Sequence, residues 1–203
     1  MRAEAGDLDL YYLDEAGFVP TLPTGYTWAR RGTRAVVYQE GTSGRRVNAL
    51  GALRADGGQP RLVFRTTGKV TSDLLLDFIY TQVAGLAAPP GSSAVTSASR
   101  NRPCTIVLDN ASTHVSRRIK EARPQLENHG ITLFYLPPYS PELNKIERVW
   151  RSVKYEDIPI RAYPWIEELQ ATVEQALGQR DALLRPAVTD LRKTAQNRRE
   201  AAS

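Results

Sequence analysis

Residues 8–15 read LDLYYLDE and residues 104–110 read CTIVLDN. Each is a short apolar run closing on an acid, the pattern of a strand covered on both faces that carries a carboxylate to its end. The first strand is therefore expected over 8–13, ending at Asp14 and Glu15, and the second over 104–108, ending at Asp109 and Asn110. Working outward, 47–53 and 62–65 flank Asp56-Gly57-Gly58 and read as a hairpin. Thr71 or Ser72 can cap a helix over 73–86, where Leu75, Phe78, Ile79, Val83 and Leu86 recur at helical spacing. Ser116 opens another helix that ends before Gly130, with Pro124 expected to kink or shorten it. A last strand over 131–136 stops at Pro137-Pro138. Turn residues from Pro20 to Gly32 argue for an irregular excursion, 35–39 for a short strand, and 87–103 for a surface loop. The order predicts a mixed α/β sheet, an antiparallel meander followed by right-handed crossovers.

Ser140-Pro141 pairs a hydroxyl N-cap with a proline at the first helical position, so a helix is expected from there. On it Leu143, Ile146, Trp150 and Val153 form an apolar stripe, and Asn144, Glu147, Arg151 and Lys154 an adjacent polar one. A further helix follows Pro164, with Ile166, Leu169, Val173 and Leu177 inside and a basic tail of Arg185, Arg192, Lys193, Arg198 and Arg199. We divide the chain into a main unit over 1–160 and a helical extension of the same domain over 161–203.

Composition narrows the chemistry. The 203 residues suit one domain, and 41% apolar with 24% charged residues exclude a disordered or low-complexity chain. No window approaches ~18 uninterrupted apolar residues, so no membrane partner is expected. The acids near the start do not suit a signal peptide. One cysteine and two histidines cannot build a structural zinc site, which fits a reducing, cytoplasmic setting. A metal here would be held by carboxylates, which select magnesium or manganese. The formal charge of +5 permits a nucleic-acid partner without demanding one.

Asp14, Asp109 and Glu147 converge if the two strands lie side by side and the helix crosses their ends. Three carboxylates within ~4 Å would cost about 4 kcal/mol per charged pair at an effective dielectric near 20, so protons or cations must fill the gap. Two divalent ions about 3.5–4 Å apart would do so and would form the clamp used on phosphodiesters.

In order, LYYLDEAGF, IVLDNASTH and LFYLPPYSPELNKIERVW resemble the catalytic (DDE) domain of the bacterial insertion-sequence branch of the mariner transposase superfamily, over about residues 8 to 160. The resemblance implies a ribonuclease-H-like fold with a metal-binding triad at Asp14, Asp109 and Glu147, holding two Mg2+ or Mn2+ ions. It also implies cutting of transposon ends and joining of the freed 3′-hydroxyl to target DNA, by a homodimer associated with the bacterial nucleoid, with no small-molecule substrate. The interval from Asp109 to Glu147 is slightly longer than is usual in eukaryotic relatives, and Lys145 stands where many members have proline. Members normally carry helix-turn-helix modules before the catalytic domain, and this chain begins one short segment before its first catalytic strand, so the resemblance does not extend to sequence-specific end binding; a downstream reading frame, a cloned catalytic domain and a decayed copy all fit that departure. Two rival readings follow: a non-catalytic DNA-binding or oligomerisation fragment that inhibits a full-length transposase, and a host-recruited ribonuclease-H-like nuclease.

Single residues carry alternatives. Glu15 competes with Asp14, since strand neighbours point to opposite faces and only one is expected to reach the site; the resemblance favours Asp14. Glu142 competes weakly with Glu147. His114 is either a group that orients water, phosphate or carboxylate, or a loop hydrogen-bonder. Asn110 either donates to a phosphate or closes an Asx-turn. Trp150 and Cys104 read as core, while Tyr139 stays open. Arg30, Arg31, Lys145, Arg148, Arg151 and Lys154 are the basic candidates for DNA contact, although such side chains are commonly only solvated.

Overall fold

A computed structural model describes residues 3, 6–20, 28–34, 46–55, 60–86, 102–159, 163 and 165–200, with side chains through 185. The strand expected over 35–39, the turn at 56–58 and most of the 87–103 loop lie outside the described residues. A five-stranded sheet runs in the order β3-β2-β1-β4-β5, built from β1 (Asp9–Phe18), β2 (Val47–Arg54), β3 (Arg61–Thr67), β4 (Cys104–Leu108) and β5 (Ile131–Tyr135). β1, β2 and β3 pair antiparallel as the expected meander, and β4 and β5 join β1 in parallel. This is the mixed sheet, an antiparallel meander followed by parallel strands, that the element order predicts.

Helices cover both faces. On one, α1 (Ser72–Phe78), its π-helical continuation Ile79–Val83, and α2 (Arg117–Asn128) bury Leu75, Phe78, Ile119 and Leu126 against Tyr11, Leu13, Leu50 and Ile106. On the other, α3 (Glu147–Ser152) and α4 (Ile166–Glu200) bury Ile146, Trp150, Leu169 and Val173 against Ala16, Phe18, Ala49 and Leu62. Thr71 caps α1 and Ser116 caps α2, each accepting from a backbone N–H three residues on. No helix among the described residues is long and apolar enough to cross a membrane.

Three local expectations are corrected. β1 does not stop at Asp14 and Glu15 but continues to Phe18, because β2 pairs with it all the way to Phe18 opposite Val47. Pro124 does not shorten α2, which runs on to Asn128 with the proline on its exposed side. Ser140-Pro141 starts no helix: Pro141–Leu143 is one 3-10 turn, and α3 begins only at Glu147. There Asn144 adopts an extended backbone while its side chain bonds to Leu13 O, so a tertiary contact overrides a local capping signal. Leu143 is consequently 48% exposed, and the apolar stripe starts at Ile146.

Candidate active site

β1 and β4 run parallel in the register 9 with 104 through 12 with 107, which brings position 14 level with 109 where the two strands part. The open end of parallel strands is where α/β sheets bind ligands. By strand alternation Asp14 shares a face with Tyr12, Ala16 and Phe18, the face covered by α3. It is only 8% exposed, and burial pushes its carboxyl up to about 7. The Glu15 backbone N–H opposes that rise, the charges of Glu147 and Asp109 add to it, and His114 draws it down. Asp109 follows β4 directly and closes an Asx-turn, its Oδ1 accepting from the Ala111 N–H at 2.9 Å. Glu147, the first residue of α3, is exposed at the rim. Asp109, Leu136, Pro138, Tyr139, Asn144 and Glu147 line one cleft of about 400 Å³.

His114 holds Asp109 in place. Its ring is fully buried, with Nδ1 2.7 Å from Asp109 Oδ1 and Nε2 2.9 Å from Glu15 Oε2. The first contact is a hydrogen bond; the second is an ion pair, close but poorly aligned for an N–H donor. Burial by itself would depress the imidazole, but the two carboxylates more than offset this and raise it to about 9, so it is an imidazolium at neutral pH. The same hydrogen bond is the main reason the Asp109 carboxyl sits below its ordinary value. The expectation that only one of Asp14 and Glu15 reaches the site is therefore incomplete. Asp14 lies on the α3 face beside the Glu147 and Asp109 charges, and Glu15 meets His114 on the opposite face. Asn110 closes no Asx-turn; its Nδ2 donates to Leu136 O at 2.7 Å and ties the end of β4 to the end of β5.

Asn144 was not singled out in the sequence beyond its place on the polar stripe. It is buried at 2% exposure, donates from Nδ2 to Leu13 O at 3.1 Å, and its backbone O accepts from Glu147 N at 3.1 Å. It thus links the residue before Asp14 to the first residue of α3. The available signal was a short amide three residues before the acid, a spacing at which it can hold a helix start to its neighbour. Trp150 anchors the helix from the other side, as core, over Gly51, the β2 partner of Asp14.

Among the described residues no three His, Cys, Asp or Glu side chains are already gathered at metal-holding distance. The chemistry nevertheless fits a divalent cation. A buried carboxylate feels two neighbouring acids, and Asn144, which lines the same cleft as Asp109 and Glu147, has its Oδ1 buried without a hydrogen-bond partner. Both features call for positive charge near the acids. Of the basic candidates, Lys145 lies 5.4 Å over the Tyr12 ring and Lys154 5.6 Å over the Phe18 ring, on the strand face that Asp14 shares. Arg148 lines a separate groove with Arg180, Leu183 and Leu184. Arg151 is exposed on α3, and Arg30 and Arg31 lie in an exposed turn that contributes nothing to the cleft lining. Tyr139 projects fully exposed from the cleft wall, and Glu142 is exposed beyond it.

The family model for DDE superfamily endonucleases matches residues 9–170. An uncharacterized protein of Sinorhizobium fredii, y4pE/y4sA, is 41% identical over 49 residues, which cover 24% of this chain and 32% of that one. Among solved structures, the fold is similar to that of the Mos1 strand transfer complex, with TM-score 0.53, 13% identity, and 93% of this chain and 52% of that chain covered. It is likewise similar to the Mos1 mariner paired end complex with Mn, with TM-score 0.55, 11% identity, and 92% and 52% covered. The chain spans about half the length of these solved relatives. With the family model extending from β1 into α4, across both strands and the helix that carry the acids, the chain belongs to the DDE superfamily endonucleases.

Proposed function

We propose that this chain is the catalytic domain of a DNA transposase, cleaving phosphodiesters at transposon ends and transferring the freed 3′-hydroxyl into target DNA. Asp14, Asp109 and Glu147 are its catalytic acids and would hold two Mg2+ or Mn2+ ions. The observation that carries the reading is the level placement of positions 14 and 109 on parting parallel strands, with the Glu147 charge acting on the buried Asp14. Bound there, the cations would supply an activated attacking oxygen and stabilise the leaving one.

The chain's own groups supply the rest. Asp109 is ionised at neutral pH, the His114 hydrogen bond holding its carboxyl below the ordinary value, and so would serve as a cation ligand. Asp14, its carboxyl raised to about 7, keeps a proton part of the time at neutral pH, and a bound cation would favour its ionised form. Pro137, Pro138 and Pro141 stiffen the wall facing the acids, and the open cleft admits an extended strand. DNA, as transposon end and as target, is the partner, and a homodimer would hold two ends together.

The test is nicking of supercoiled plasmid and joining of a 3′-hydroxyl oligonucleotide, both with Mn2+. Asp109→Ala should abolish both while the circular dichroism spectrum is unchanged, and retained activity would sink the assignment. Cutting without joining would favour the host-recruited nuclease, and suppression of transposition without cutting would favour the inhibitory fragment.

A further inference from the structure

Asp109 sits outside any strand or helix with its side chain half exposed, so its carboxylate should rotate freely unless held. Two donors hold one oxygen. Oδ1 accepts from the Ala111 N–H at 2.9 Å and lies 2.7 Å from His114 Nδ1. The imidazole is pinned in turn: its residue's backbone N–H donates to Ala111 O at 2.9 Å, its carbonyl accepts from the Tyr135 hydroxyl at 2.9 Å, and Nε2 meets Glu15 Oε2 at 2.9 Å. Glu15 Oε1 accepts from Thr113 Oγ1 at 3.3 Å, which closes the chain back onto the same loop.

We propose that Glu15 and His114 are positioning residues that lock Asp109 through Oδ1, so that Oδ2 alone is presented to a divalent cation, with Glu15 acting only through His114. The inference rests on the reading of Asp109 as a cation ligand. Glu15 points to the α1 and α2 face by strand alternation, where its neighbours two residues away are Leu13 and Gly17. A carboxylate with one oxygen buried there carries a desolvation cost that an apolar side chain of similar volume would avoid. A group serving the fold alone could be replaced by leucine with no change in the cation affinity of the folded protein; a group orienting the imidazole could not. Partners one shell out from a metal commonly govern affinity in this way.

The experiment titrates the full chain with Mn2+ alone and follows free Mn2+ by electron paramagnetic resonance. Wild type should bind and Asp109→Ala should not. Against that baseline, Glu15→Leu and His114→Gln should each raise the dissociation constant about 10- to 100-fold. Glu15→Gln, which keeps an acceptor but not the charge, should fall between wild type and Glu15→Leu. The Glu15→Leu/His114→Gln double variant should be no weaker than His114→Gln, because the two act as one path. Glu15→Leu leaves the buried imidazolium with Asp109 as its one carboxylate, so its melting temperature should fall, and affinities are compared at a temperature where the variant is folded. Wild-type Mn2+ affinity in a folded Glu15→Leu, or in the isosteric Glu15→Gln if the leucine variant does not fold, overturns the proposal and leaves the metal site standing. Additive losses in the double variant overturn it too. Absent binding in wild type, or wild-type binding in Asp109→Ala, overturns both the site and the positioning path.

Discussion

Gly51→Ala adds one methyl group at the β2 position that pairs with Asp14 on β1 and with Phe64 on β3. The new Cβ would stand 2.5 Å from Trp150 Cη2, 2.7 Å from Cζ2 and 3.0 Å from Ile146 Cδ1. Carbon contacts settle at about 3.5–4.0 Å, so the indole must retreat by roughly 1 Å. Neither the strand, held by neighbours on both sides, nor the fully packed indole can yield without disturbing the rest. Overpacking of this kind costs about 1–3 kcal/mol. Trp150 is three residues beyond Glu147 on a six-residue helix, so its retreat carries the acid with it. A displacement near 1 Å at a positioned group costs about 100-fold in rate. Urea denaturation should therefore show the loss in stability, and Mn2+-dependent plasmid nicking should fall about 100-fold. Adding Trp150→Phe, which removes the clashing ring atoms, should restore part of both. A Gly51→Ala protein that loses 1–3 kcal/mol yet nicks at the wild-type rate would refute the claim that the indole seat positions Glu147. One that loses no stability would refute the seat itself.

Asp14→Asn should abolish nicking yet stabilise the cation-free protein at pH 8. The carboxyl is raised to about 7, so between its ordinary value of 3.8 and pH 7 the folded state keeps a proton that the unfolded state has lost. Stability therefore falls as pH rises from about 4 to 7 and is level above, by up to about 4 kcal/mol in all from this group. Denaturation in EDTA at pH 5.5 and pH 8 should show a drop in wild type that shrinks in Asp14→Asn; an equal drop in both would remove Asp14 as its source. His114, raised to about 9, adds a loss of the same sign on passing from pH 6.5 to 9, which Asp109→Asn should reduce. Tyr139→Gly should raise stability by about 1 kcal/mol, because Tyr139 holds φ at 58° and buries nothing. Urea denaturation checks it, and a loss would mean that the ring packs in solution.

What could be read from the sequence was whatever local pattern decides. The apolar runs before Asp14 and Asp109, the capping hydroxyls at Thr71 and Ser116, and the helical spacing of Ile146, Trp150 and Val153 all appear in the structure where the residues put them. What could not be read depended on partners distant in the chain. β1 runs past its two acids because β2 is long enough to pair with it, a fact held at Val47 and not at Asp14. α3 starts late because Asn144 spends its side chain on Leu13, 131 residues away, although Ser140-Pro141 has the local chemistry of a helix start. His114 had two equal readings for the same reason: five residues after Asp109 it could bond locally, and only the position of Glu15 decides what its second nitrogen meets. Strand alternation taken alone forces a choice between Asp14 and Glu15. Once β4 parts from β1 at their level, however, a loop can pass around the strand end and place an imidazole on the far face. Two adjacent acids then address one carboxylate from opposite sides of the sheet, Asp14 through its charge and Glu15 through a ring.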